Sequence, residues 1–161
     1  MTFKLDEIAN SGNDEFYTPK DAVKPILEFI KKDMLVWCPF DTEESWFVKL
    51  MKREGYKVIH SHISEGKDFF EYEPDSYDVI VSNPPYSMKN EVLERCYKLE
   101  KPFALLMGVV GVFEGEFRTK LFSSFGVEVL YLTPRVDYFE DYNDQKPSKN
   151  PPFQSAYFCK G

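Results

Sequence analysis

A chain of 161 residues, 43% hydrophobic and 29% charged, has the material for one buried core and little room for a second, so a single domain spanning 1–161 is expected. A net charge of -7, with Lys and Arg scattered among carboxylates, argues against a protein built around a basic stripe and against tight, sequence-independent duplex binding by this chain alone. Three cysteines without CxxC spacing exclude a disulfide scaffold or a cysteine metal site. Met1–Asp6 has no apolar signal region and no window approaches a membrane span, so a reduced, cytoplasmic protein free of membrane and metal is expected.

In chain order, residues 1–15 are polar and Ser11-Gly12-Asn13-Asp14 reads as a loop. Thr18-Pro19-Lys20-Asp21 predicts a helix start with Thr18 as cap; Ala22, Val23, Ile26, Leu27 and Ile30 follow at helical spacing, and Pro25 predicts a kink or a later start. Leu35-Val36-Trp37 is a short buried strand. Beyond it, Thr42 is expected to cap a helix carrying Trp46, Phe47, Leu50 and Met51, closed by Gly55. Lys57–Ile59, Asp78–Val81 and Phe103–Met107 are further strands, with helical patterns over Glu91–Leu99 and Glu116–Phe122. Val127–Tyr131 and Gln154–Cys159 are the last strands. They are joined by a loop of more than ten residues and expected to form an antiparallel pair. Alternating strands and helices imply an α/β fold with a mostly parallel sheet, whose ligands bind beyond the carboxyl ends of the strands. His60 and His62, the only histidines, read as an ordinary strand-end pair. The high aromatic content, 15 Phe and 10 Tyr, reads first as large core side chains.

Chemistry concentrates at Ser82-Asn83-Pro84-Pro85-Tyr86, directly after the apolar strand. Two prolines fix the backbone and remove two donors, so carbonyls are presented rigidly. Asn83 offers an amide oxygen and Pro84 a carbonyl: two acceptors able to grip both hydrogens of an exocyclic amine. Such an amine is a weak nucleophile because its lone pair is delocalised into the ring. Acceptors aimed at its hydrogens favour a pyramidal nitrogen, with no strong base required. Tyr86 can stack on the ring of a base swung out of its helix.

On these residues the chain resembles the class I S-adenosylmethionine-dependent amino-methyltransferases, above all the DNA adenine-N6 methyltransferases, and in its compactness small phage-encoded members. The resemblance implies a Rossmann-like fold with a C-terminal antiparallel hairpin, S-adenosyl-L-methionine as cofactor and DNA as substrate. Asn83, Pro84, Pro85 and Tyr86 match the amine-binding motif, and Asn83 also borders the cofactor. Glu15-Phe16-Tyr17-Thr18-Pro19 is similar to the segment lying against the methionine end of the cofactor, and Cys38-Pro39-Phe40-Asp41 stands in place of the Asp-Pro-Phe-x-Gly-x-Gly loop. Asp68 matches the residue that contacts the adenosyl amine and Phe69 the aromatic that covers its ring; Arg135–Phe139 with Pro152–Ala156 resembles the closing hairpin, where Phe153 helps sandwich the base.

The sequence also departs from the family. Thr42-Glu43-Glu44 stand where glycines are usual, and His60-Ser61-His62 lacks the acid that holds the ribose hydroxyls, for which His60, Ser61 or Glu65 could substitute. No segment is long enough for a target-recognition domain, so target choice falls to the 140–152 loop or a partner protein. A local positive rim is left to Arg118, Lys120, Arg135, Lys146 and Lys149. Two other readings keep the fold: methyl transfer to RNA guanine or to protein glutamine, the protein substrate fitting the acidic charge better than DNA, and a lapsed enzyme serving as a binding or accessory protein.

Overall fold

The computed structural model describes residues 17–133, 136 and 154–161. In chain order they form α1 (Lys20–Leu27), β1 (Leu35–Cys38), α2 (Trp46–Arg53), β2 (Lys57–His60), β3 (Val79–Ser82), α3 (Lys89–Lys98), β4 (Phe103–Gly108), α4 (Glu116–Phe125), β5 (Glu128–Tyr131) and β6 (Ser155–Lys160). Short 3-10 turns at Ile63–Glu65 and Tyr86–Met88 complete the elements.

The six strands make one sheet in the order β2-β1-β3-β4-β6-β5. β1 to β4 run parallel; β6 lies antiparallel between β4 and β5, in register from Phe103↔Lys160 to Gly108↔Ser155. This is a mixed α/β sheet of Rossmann-like form, with the expected C-terminal antiparallel pair. The inner strands β3 and β4 are buried along their whole length, which is why they read as unbroken apolar runs. The edge strands β2 and β5 are half-exposed and carry their charges outward.

Two apolar layers sandwich the sheet. α1 and α2 pack on one face through Val23, Ile26, Phe47 and Met51. α3 and α4 cover the other through Val92, Leu93, Cys96 and Phe122. Between β2 and β3 there is no α-helix; Phe69, Tyr72 and Tyr77 instead pack their rings 5.4, 6.2 and 5.0 Å from that of Trp37. The chain thus crosses under β1 on aromatic side chains.

That crossing decides where a ligand can sit. β1 is flanked by β2 on one side and β3 on the other, so the strand order reverses between β1 and β3. Loops leaving their carboxyl ends diverge there and leave a crevice. The two exits are Cys38-Pro39-Phe40-Asp41 and Ser82-Asn83-Pro84-Pro85-Tyr86.

Two expected caps move. Pro19, in extended conformation, precedes α1 and makes no side-chain cap; Thr18 does not cap the helix. α1 starts ahead of Pro25 and continues through it to Leu27, so the later start is not adopted; the Tyr157 hydroxyl donates to the Ala22 carbonyl at 2.7 Å. α2 is capped by Ser45, whose hydroxyl accepts from the Phe47 amide at 3.2 Å, while Thr42 accepts from the Glu44 amide inside the preceding turn. Gly55 closes α2 as expected, in the left-handed region at φ +89. No helix among the described residues is long and apolar enough to cross a membrane.

Candidate functional site

Beyond β1 the ladder continues into the loop. The Ser61 amide donates to the Cys38 carbonyl and the Asp41 amide to the Ser61 carbonyl, each at 3.0 Å. This holds Asp41 above the sheet edge, only 8% exposed. Its carboxylate accepts two hydroxyls: Ser45 on one oxygen at 2.5 Å and Ser82 on the other at 2.6 Å. One buried charge therefore joins the end of β1, the cap of α2 and the end of β3. Cys38 and Pro39 are buried beneath it; burial, and then the nearby Asp41 charge, push the Cys38 thiol well above its usual range.

Beyond β3, Ser82 is sealed and Asn83 half-buried. The Asn83 Nδ2 donates to Thr18 Oγ1 at 3.2 Å, so the hydroxyl expected to cap α1 orients this amide instead. With Nδ2 held, the other end of the amide is the acceptor Oδ1. Tyr17 and Pro19, on either side of Thr18, are half-exposed. Pro84 is buried, Pro85 is extended, and the chain turns through Tyr86–Met88 into α3. Tyr86 packs partly against the α1/α2 core, and burial raises its phenol above the ordinary value. The Lys89 amine stands 4.1 Å above the Tyr86 ring centroid. Burial, helped by the Arg118 charge, pulls Lys89 down to about 8. Arg118 is itself fixed by bonds to the Asn90 side chain and the Gly111 and Val112 carbonyls, at 2.8, 2.7 and 3.0 Å.

At the end of β2, the Ser61 hydroxyl is buried and accepts from the Trp37 indole at 2.9 Å. His60 is placed differently. Its Nδ1 is buried without a hydrogen-bond partner among the described residues, with the Glu43 and Glu65 carboxylates 3.8 and 3.9 Å from its ring nitrogens. His62 turns away and caps the Ile63–Glu65 turn. Asp68 is half-buried and one of its oxygens accepts from the Phe70 amide at 2.9 Å. Phe69 is 2% exposed, its ring spent on Trp37, Phe40 and Phe70. The half-exposed aromatics of this corner are Phe40, Phe70 and Tyr72.

The fold therefore brings Thr18, Asp41, Ser82 and Asn83 into one bonded set at the β1/β3 exits, with Tyr86 following. Asp68 and Phe69 lie on the β2–β3 crossing, where Phe69 meets Phe40. Phe153, Arg135, the segment Asp137–Phe139, the 140–152 loop and Glu15-Phe16 fall outside the described residues. Ser45 and Ser82 were not singled out by their sequence as partners of Asp41, although Ser45 follows it by four residues and precedes an apolar helix face. Among the described residues no group of three or more His, Cys, Asp or Glu is placed to hold a metal ion.

No family model matches the chain, and no curated protein matches it. Solved structures do. A dimethyladenosine transferase from Plasmodium falciparum superposes with a TM-score of 0.56 at 13% identity, over 90% of this chain and 62% of that one. A protein described as the modification subunit of a type I restriction enzyme from Vibrio vulnificus YJ016 superposes with a TM-score of 0.51 at 13% identity, over 98% of this chain and 47% of that one. The chain thus spans less than two thirds of either, and at such identity the likeness is one of fold.

Proposed function

We propose that this protein transfers a methyl group from S-adenosyl-L-methionine to the N6 amine of adenine in DNA. One observation carries the reading: Asn83-Pro84-Pro85-Tyr86 leaves β3 where the strand order reverses, beside the exit of β1. Likeness in fold to a dimethyladenosine transferase supports an adenine acceptor.

The residues at the strand ends suit the cofactor. The orphaned Nδ1 of His60, at the end of β2, is a buried polar atom that a ribose hydroxyl would satisfy. His60 so takes the part of the missing acid, while the Ser61 hydroxyl lies sealed against Trp37. Phe40 offers an aromatic wall, Asp68 a carboxylate for an adenosyl amine, and Asp41 negative charge near the cofactor's ammonium group. The cofactor, when bound, supplies a methyl group activated by its sulfonium.

The rest belongs to the chain. Thr18 holds the donor end of the Asn83 amide, so Oδ1 and the Pro84 carbonyl take the two hydrogens of the target amine and set its lone pair. Tyr86 stacks on the base; Phe153, which lies outside the described residues, is the aromatic that the family resemblance assigns to the other face. Because Lys89 covers one face of Tyr86, a base stacks on that face only when the amine withdraws.

Calorimetry with S-adenosylmethionine, followed by labelled transfer to unmethylated DNA, RNA and protein extract, tests the proposal. Binding with label in DNA adenine is expected, and His60→Ala should weaken cofactor binding about tenfold, the loss of one hydrogen bond. Label in RNA or protein alone would move the acceptor. No binding at all would leave an accessory protein of this fold.

A further inference from the structure

The only tryptophan that reaches the surface among the described residues is Trp46, the first residue of α2; Trp37 is fully buried. Three cations converge on the Trp46 indole: Lys20 at 5.6 Å, Lys49 at 5.5 Å and Arg53 at 5.8 Å from its centroid. Every other ring among the described residues with a cation over it has one: Tyr56, Tyr72, Tyr86, Phe69 and Tyr77. None of the three cations forms an ion pair with a carboxylate of the described residues. Of the neighbouring acids, Asp21 pairs with Lys24, Glu43 faces His60, and the exposed Glu44 forms no ion pair with any of the three. Like charges gathered without counter-charge repel, and the repulsion is only partly offset by the indole.

The patch is tied to the site by two short links. Lys20 stands two residues after Thr18, which holds Asn83. Trp46 directly follows Ser45, which shares the Asp41 carboxylate with Ser82, the residue before Asn83. Of the positive rim expected from the sequence, the two described members are engaged locally: Arg118 with Asn90 and two carbonyls, Lys120 with Glu116 at 3.0 Å.

We propose that Lys20, Lys49, Arg53 and Trp46 form the docking surface for the phosphodiester backbone of the nucleic acid whose base enters the site beside Asn83. The inference rests on the methyl-transfer reading and adds to it where the strand lies. Three cations and a flat ring are the pairing that holds a single-stranded segment, charge on phosphate and ring on base. On a molecule of net charge -7 most of the surface repels a polyanion, so a local cluster of three cations around one ring orients it. Binding is weak and salt-dependent, since few phosphates are neutralised.

Trp46 reports its own occupancy, because Trp37 is sealed in the core. Titration with an unmethylated adenine-containing oligonucleotide should quench its fluorescence saturably. Three neutralised phosphates predict an affinity falling about 20- to 40-fold between about 50 and about 200 mM salt. The triple variant K20Q/K49Q/R53Q should lose most of that salt dependence and most of the affinity. Its calorimetric response to S-adenosylmethionine and its melting temperature should match the parent, and Lys49→Gln alone should remove about a third of the slope. Oligonucleotide binding with an unchanged slope in the triple variant would overturn the patch and leave the methyl-transfer reading standing. An acidic peptide of equal charge quenching Trp46 as strongly would overturn the assignment to nucleic acid. Cofactor binding with no oligonucleotide binding, and label only in protein, would sink both the patch and the DNA acceptor.

Discussion

A buried carboxylate is costly to strip of water unless each oxygen finds a donor, and hydrogen bonds to a charged group contribute about 1.5–3 kcal/mol each. Asp41 meets that condition through Ser45 and Ser82. Ser82→Ala should therefore lower unfolding free energy by about 1–3 kcal/mol in urea denaturation, since the buried carboxylate loses one of its hydroxyl donors. The Ser45→Ala and Ser82→Ala losses should couple, because both hydroxyls serve one charge; simple additivity would dissolve the link between the two strand exits. Asn83 to Tyr86 stand out in the sequence as a candidate site because the pattern is local: an acceptor, two rigid residues and an aromatic in a row. The partnership of Asp41 with Ser82 does not, because 41 residues separate them and only the placing of β1 beside β3 makes them neighbours.

Lys89 adds a pH signature. Its amine titrates at about 8 in the fold against 10.5 for an unperturbed lysine, because burial and the Arg118 charge disfavour the ammonium. Between those values the unfolded chain binds the extra proton, so this group makes stability rise with pH through that window; below about 8 the charged amine carries its full burial penalty. The stability gained by Lys89→Met over the parent should therefore be largest near neutral pH and shrink toward pH 10. A difference that stays constant would place Lys89 in ordinary solvent.

Among the elements, the strands announced themselves and the cap residues of the first two helices did not. Unbroken apolar runs such as Val79-Ile80-Val81 leave little choice but an inner parallel strand. Thr18 and Thr42 are as good cap residues as Ser45, and local chemistry does not choose among them. The choice is made by Asn83, which takes the Thr18 hydroxyl, and by Asp41, which draws Ser45 to the head of α2. The crossing between β2 and β3 was equally hidden, since its aromatics show their purpose only when packed around Trp37. Gly55 is the reverse case, readable and confirmed. A Cβ there meets nothing within 4 Å, yet φ of +89 strains any side chain. Gly55→Ala should cost about 1–2 kcal/mol, seen as a melting temperature lower by about 2–8 °C, and Gly55→Asn should recover part of it. A neutral Gly55→Ala would mean that the end of α2 adopts another turn.

For the whole molecule, the reversal of strand order turns two distant loops into the walls of one crevice. Without that topology the Asn83 motif would be a turn at a sheet edge. Length, alternation and the late antiparallel pair foretold the sheet; the local charge pattern escaped, because Lys20, Lys49 and Arg53 are spread over two helices and meet only at Trp46. The most direct measurement is mass-spectrometric quantitation of N6-methyladenine in DNA incubated with S-adenosylmethionine and either the parent protein or Asn83→Ala. The account predicts methylated adenine with the parent and none with the variant, which still unfolds cooperatively and still binds S-adenosylmethionine. Equal methylation by both would contradict it.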